Sequence, residues 1–326
     1  MNRFKAILCV MQQGKDCELT FKRSVSLAET NQASLKVITV SATVADMSGT
    51  PLGSSISADI QTAIKDTQEQ WLQTLITPYQ NRLTIQAKAL IGTPCLEIIR
   101  EVLRHGHDLV IKSVENQDWL DRVFGSDDMH LMRKCPCPVW LIKPQAPDSY
   151  QRILAAVDVD DAYPAKELAA RHQQSIQILE MATSLALSDS AELHVAHAWE
   201  AIGEQSLRNA LAHTPEDKIA AYVAQVKQHR KEGLAKLLNE VTKNLGKDAL
   251  DYLKPQKHLV KGWARKEIPL LAKRIKADLV VMGTVARTGI PGFLMGNTAE
   301  TILNQIDCSV LAIKPPGFVT PVTVRS

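Results

Sequence analysis

Residues 277–283 read ADLVVMG, and residues 107–113 read HDLVIKS, an offset of 170. Downstream, CSVLAIKP (308–315) repeats CPVWLIKP (137–144) at an offset of 171. Upstream, HLVKGWARKEIPLLA (258–272) falls on KALIGTPCLEIIREV (88–102), which sets Gly262 on Gly92. Near the front of each half, QRILAAV (151–157) answers FKAILCV (4–10). Self-similarity in the same order over such lengths marks a tandem duplication. The seam falls near QAPDS (145–149), so domains of 1–146 and 147–326 are expected.

Each half alternates short apolar, β-branched runs with stretches of helical period, the pattern of a parallel sheet wound by helices. In the second half the pattern predicts strands at 151–157, 191–198, 256–261, 278–283 and 308–313. Helices are predicted near 163–187, 265–275 and 297–306, and a long amphipathic helix over Thr214–Leu245 to cover the sheet or a partner. Strands covered on both faces should be near-continuous apolar runs, as DLVVMG and SVLAIKP are. The fold class is α/β: two tandem doubly wound domains, each with a mainly parallel five-stranded sheet. The last strands, VWLIKP and VLAIKP, would be apolar sheet edges, and duplication supplies each with an equivalent partner. Their pairing would make the chain a pseudo-dimer; a homodimer is the other assembly open to it.

The 326 residues carry a net charge of +3 with both signs interspersed, which provides no electrostatic footprint for nucleic acid or an anionic membrane. No run approaches the 18 or so apolar residues of a membrane span, and the first residues lack a signal-peptide core, so a cytoplasmic protein is expected. Six scattered cysteines suit small core hydrophobes in a reducing compartment. Cys135 and Cys137, in CPCP, read as a rigid entry to the next strand, not as a redox turn.

The stretch from Val280 to Glu300, VVMGTVARTGIPGFLMGNTAE, takes an apolar strand into Gly283, crosses a polar loop and reaches Gly296 at a helix start. Glycine lets backbone approach a pyrophosphate closely, and amides at a helix start supply donors, with Asn297 and Thr298 as side-chain donors or caps. The plainer reading stays open: the glycines serve tight turns, Asp158 caps the helix after the first strand of its half, and Val195 is core.

These residues resemble the universal stress proteins, whose ATP-binding members carry Gly-x2-Gly-x9-Gly-Ser/Thr. The resemblance implies flavodoxin-like domains, spans nearly the whole chain and is weakest at 43–83 and 199–250. It sets the pattern on Gly283, Ala286, Gly296 and Asn297, two of which depart from it; Met282, Thr284, Thr298 and Ala299 complete the run, and Arg287 is its cation. It sets the adenosine-side aspartate on Asp158, after Ala156, and the adenine-side valine on Val195. The implied ligand is an adenine nucleotide, ATP, alone or with Mg²⁺. In the first half Ser113 replaces Gly283, the loop holds Glu115, Asp118 and Asp121, and Asp127 and Asp128 follow Gly125 and Ser126. Those carboxylates suit a helix start and repel a triphosphate, so this copy is degenerate.

His194 and His197, three apart on a strand, face opposite sides and make a poor pair for one metal; His172 and His213 lie elsewhere. RHGHD (104–108) reads as a helix end, and Arg265 and Lys266 of WARKE as a solvated first turn. No Ser-His-Asp order, paired carboxylates or phosphate-loop lysine points to a dedicated hydrolase. The leading expectation is a nucleotide-binding stress and signalling protein. A nucleotide-free scaffold and a slow ATPase are its rivals.

Overall fold

The computed structural model describes residues 4–14, 17–43, 55–114, 124–209, 214–284 and 295–324. The first half runs β1 (Ala6–Val10), α1 (Glu18–Asn31), β2 (Ser34–Ser41), α2 (Ser55–Ile76), β3 (Ile85–Ile91), α3 (Pro94–His105), β4 (Leu109–Ser113), α4 (Ser126–Lys134) and β5 (Val139–Ile142). The second runs β6 (Arg152–Ala156), α5 (Ala165–Asp189), β7 (Glu192–Trp199), α6 (Glu204–Arg208), α7 (Glu216–Leu245), α8 (Lys247–Leu253), β8 (Gln256–Lys261), α9 (Ala264–Ile275), β9 (Leu279–Gly283), α10 (Asn297–Leu303) and β10 (Ser309–Ile313). The predicted strands agree with these bounds to within one residue, and α10 stops three residues earlier than the periodicity suggested.

All ten strands form one sheet in the order β3-β2-β1-β4-β5-β10-β9-β6-β7-β8. Each half is thus ordered 3-2-1-4-5, and it obeys the same switch-point rule as the 2-1-3-4-5 order of flavodoxin. Every pairing within a half is parallel. The junction is antiparallel: Val310 faces Leu141, Leu311 faces Trp140 and Ala312 faces Val139. The two terminal strands, which would otherwise leave unpaired edges, therefore pair with each other. Both are buried at every residue, whereas the true edge β8 (QKHLVK) is at most half-buried and carries Lys257, His258 and Lys261.

Alternate faces of the sheet bury separate cores. Phe21 of α1, Leu72 of α2, Leu179 of α5 and Leu234 of α7 pack on one face, and Ile98 of α3, Leu131 of α4, Leu271 of α9 and Ile302 of α10 on the other. The duplication persists in backbone detail. Gly92 and Gly262 sit at φ +140° and +132°, where a Cβ would lie 3.0 Å and 2.9 Å from the Cγ of Glu97 and Glu267 respectively. Both positions need glycine twice over, for conformation and for space.

Polar contacts beyond the strand pairing tie the halves, among them the ion pair of Lys143 with Asp307 and the bond from the Lys143 N–H to Ser309 Oγ (3.2 Å). Arg23 of α1 pairs with Asp189 at the end of α5 (3.1 Å), donates to the Pro147 carbonyl (2.8 Å) and stacks 3.8 Å over the Tyr150 ring. Arg133 pairs with Glu300. Lys314, whose ammonium burial pushes down to about 8, donates to the Met132 carbonyl at the end of α4 and, at 3.0 Å, to Thr284 Oγ1. All six cysteines are free and buried, with Cys135 Sγ and Cys137 Sγ 3.6 Å apart. Among the described residues no helix is long and apolar enough to cross a membrane.

Candidate functional site

In a doubly wound sheet the loops part beyond the carboxyl ends of the strands where the order reverses, here between β6 and β9. A cavity of about 300 Å³ opens there. It is lined by Ala156 and Asp158 after β6, by Met282, Gly283 and Thr284 at the end of β9, and by Gly296, Thr298 and Ala299 at the start of α10. Eight of the twelve residues singled out in the sequence thus meet at one place. Ala286 and Arg287 lie outside the described residues.

Two do not take part. Val195 is fully buried in the middle of β7, in the core with Ala155 and Leu193, and does not reach the cavity. The strand runs four residues further, so His197 and Ala198 border the cavity in its place. Asn297 is exposed and does not line the cavity; its carbonyl accepts Thr301 Oγ1 at 2.8 Å.

Asp158 does not cap α5, since that helix starts at Ala165 with Pro164 before it and no side-chain cap. Its carboxylate accepts the peptide N–H of Asp160 (3.0 Å) and Arg171 Nη1 (3.2 Å), and its backbone exchanges hydrogen bonds with Ser175 Oγ (3.1 and 3.0 Å). Arg171 also lies 3.7 Å over the Tyr163 ring, and burial, aided by the Asp158 charge, pushes that phenol up to about 12. The loop is fastened from outside by the long helix α7. Arg230 grips Asp160 and Asp161 at 2.7 Å each, and His229 meets Asp161 at 2.6 Å, which holds the Asp161 carboxyl down to about 2.

Gly283 is glycine for a reason the sequence did not expose. A Cβ there would lie 2.7 Å from both Cδ and Nε2 of Gln174, whose amide donates to the Ile313 carbonyl at 3.0 Å. Gln174 belongs to a stripe of α5, with Arg171, Ser175 and Ile178, that lines the cavity. The i, i+3, i+4, i+7 spacing was readable as one helix face, and its direction was not. Gly296 has φ −63°, and its N–H donates to the Thr284 carbonyl at 3.0 Å.

The equivalent place in the first half carries a buried ion pair. Repeat alignment sets Lys112 on Met282 and Asp128 on Ala299, and these two form an ion pair of 2.7 Å with 4% and 0% side-chain exposure. Asp128 is therefore buried and neutralised, where the sequence suggested a carboxylate facing a phosphate. Of the histidines, His194 stacks on His258 with Nδ1 and Nε2 3.0 Å apart, while His197 borders the cavity. Among the described residues no three His, Cys, Asp or Glu side chains are grouped to hold a metal ion. Arg265 stacks on Trp263, 4.2 Å from its ring, and neither it nor Lys266 lines the cavity. Carboxylate, guanidinium, imidazole and small residues around a cleft provide for binding.

The Universal stress protein family matches residues 3–143 and 149–314. Universal stress protein E of Escherichia coli strain K12 is 28% identical over 329 residues, covering 99% of this chain and 98% of that protein. The Universal stress protein E homolog of Haemophilus influenzae is 28% identical over 324 residues, 96% of this chain and 98% of its own. Among solved structures, protein PA1789 from Pseudomonas aeruginosa PAO1 superposes with a TM-score of 0.66 at 25% identity, covering 96% of this chain and 94% of that one.

Proposed function

The chain belongs to the universal stress protein family, and from that premise we propose that its second half (147–326) binds one adenine nucleotide, ATP, while the first half (1–146) serves as its structural partner. The reading rests on one asymmetry. Where the first half has the buried pair Lys112–Asp128, the second has Met282 and Ala299, which leave a cavity at the switch point of the sheet. Its volume falls at the small end of small-molecule sites. Asp158 is the acceptor at the β6 side, Arg171 the adjacent cation, and Gly283, Thr284, Gly296 and Thr298 bound the β9 side, where the phosphates would lie. Mg²⁺ would accompany the phosphates, not a preformed cluster of carboxylates. The role is binding and signalling rather than turnover.

One observation favours a nucleotide-free scaffold instead: the Gln174 amide already packs on Gly283, in space a phosphate would approach. Calorimetric titration separates the two. ATP is expected to bind at one site per chain, and Asp158→Ala to weaken it roughly tenfold, the worth of one hydrogen bond to a charged group. No heat of binding at millimolar ATP would leave the scaffold reading standing.

A further inference from the structure

His197 is 3% exposed, and its Nε2 has no hydrogen-bond partner among the described residues. Its other nitrogen is held by backbone: Nδ1 lies 3.4 Å from the N–H of Val159 and 3.3 Å from the carbonyl of Val157. The ring is thereby fixed in orientation beside the cavity it lines. A buried polar atom without a partner costs free energy that an ordinary core histidine recovers, so one retained at the wall of a cavity marks where a ligand group is met. Nδ1 accepts the Val159 N–H only when it is proton-free, the tautomer with the proton on Nε2, and serves the Val157 carbonyl only in the other tautomer, so the two backbone groups fix the ring without fixing the proton. Burial disfavours the imidazolium, outweighing the opposing charge of Asp158, and the nearby Arg230 adds to that effect, so the ring is neutral.

We propose that His197 is a ligand-binding residue, its Nε2–H donating to an uncharged acceptor at the sugar and base end of the nucleotide. This rests on the nucleotide reading above and adds the group that reads the nucleoside. The acceptor is uncharged because Asp158 stands beside the ring, with Oδ1 3.9 Å from Nδ1, and repels a phosphate there. Asp158 accepts and His197 donates at the same end, a set complementary to a ribose hydroxyl or a purine ring nitrogen.

Two isosteric changes test this. His197→Asn keeps a polar atom near Nδ1 and removes Nε2, whereas His197→Gln returns an amide N–H near Nε2. With folding checked by thermal melting, His197→Asn is expected to weaken ATP binding by about tenfold, and His197→Gln to recover most of it. In the wild type the His197 Nε2 resonance should move when ATP is added. If the ribose hydroxyl is the acceptor, 2′-deoxy-ATP binds wild type as weakly as ATP binds His197→Asn; if a ring nitrogen is, the two nucleotides bind alike. A folded His197→Asn protein with wild-type affinity, or an unmoved Nε2 resonance in a protein that binds ATP, overturns the proposal alone. A wild type that binds no ATP overturns the nucleotide reading, and the proposal with it.

Discussion

Asp128→Ala is expected to destabilise the protein by about 3–5 kcal/mol in urea unfolding, and adding Lys112→Met to the same chain to restore most of that loss. The single change deprives a buried ammonium, its side chain 4% exposed, of the Asp128 carboxylate. It must either stay charged in a poor medium or give up its proton, and both are costly. The double change removes both charges and installs the residues that the second half carries at the repeat-equivalent positions, Met282 and Ala299, where the same fold accommodates them. Replacing a buried ion pair by apolar residues is often neutral or stabilising, so the double variant should lie far closer to wild type than either single one. Equal destabilisation by the double and single variants would mean that the ion pair fills space no apolar pair can fill in this half.

That pair also marks the limit of what the sequence makes legible. The strands were readable because parallel strands buried on both faces leave near-continuous apolar runs, and because the repeat prints each one twice. The meeting of β5 with β10 was readable too, since duplication offers an apolar edge its own equivalent. What periodicity could not supply is direction across long separations. Asp128 read as a helix-start carboxylate that would repel a phosphate, and the structure instead buries it in an ion pair with Lys112, sixteen residues away. A column-by-column comparison of the halves carries the signal, because both members of the pair change together to Met282 and Ala299. Val195 was misplaced for a related reason. A strand's apolar content does not say which of its residues stands at the carboxyl end, and β7 extends to Trp199. Gln174 left no trace at all, since a helix face is visible in a sequence and the glycine it rests on is not.

Gly283→Val is expected to remove ATP binding altogether, a loss of more than about hundredfold, or 2.7 kcal/mol, while costing about 1–3 kcal/mol of stability by overpacking. The backbone is not the cause, because Gly283 has no left-handed φ. The space is: the first added carbon meets the Gln174 amide at 2.7 Å, and the branches would extend into the cavity. Gln174 can swing aside only by giving up its bond to the Ile313 carbonyl, which then keeps the Thr284 N–H at 3.3 Å alone. A double-mutant cycle isolates that contact. Gly283→Ala and Gln174→Ala should each destabilise, and their combination should cost less than the sum by about 0.5–1 kcal/mol, since the second change vacates the space the first one needs. The cycle also decides what Gln174 does for the ligand. Tighter ATP binding in Gln174→Ala would make the amide a competitor for phosphate space; weaker binding would make it a contact. Strict additivity would dismiss Gln174 as the reason for the glycine and leave the close approach of a ligand to the β9 backbone as its cause.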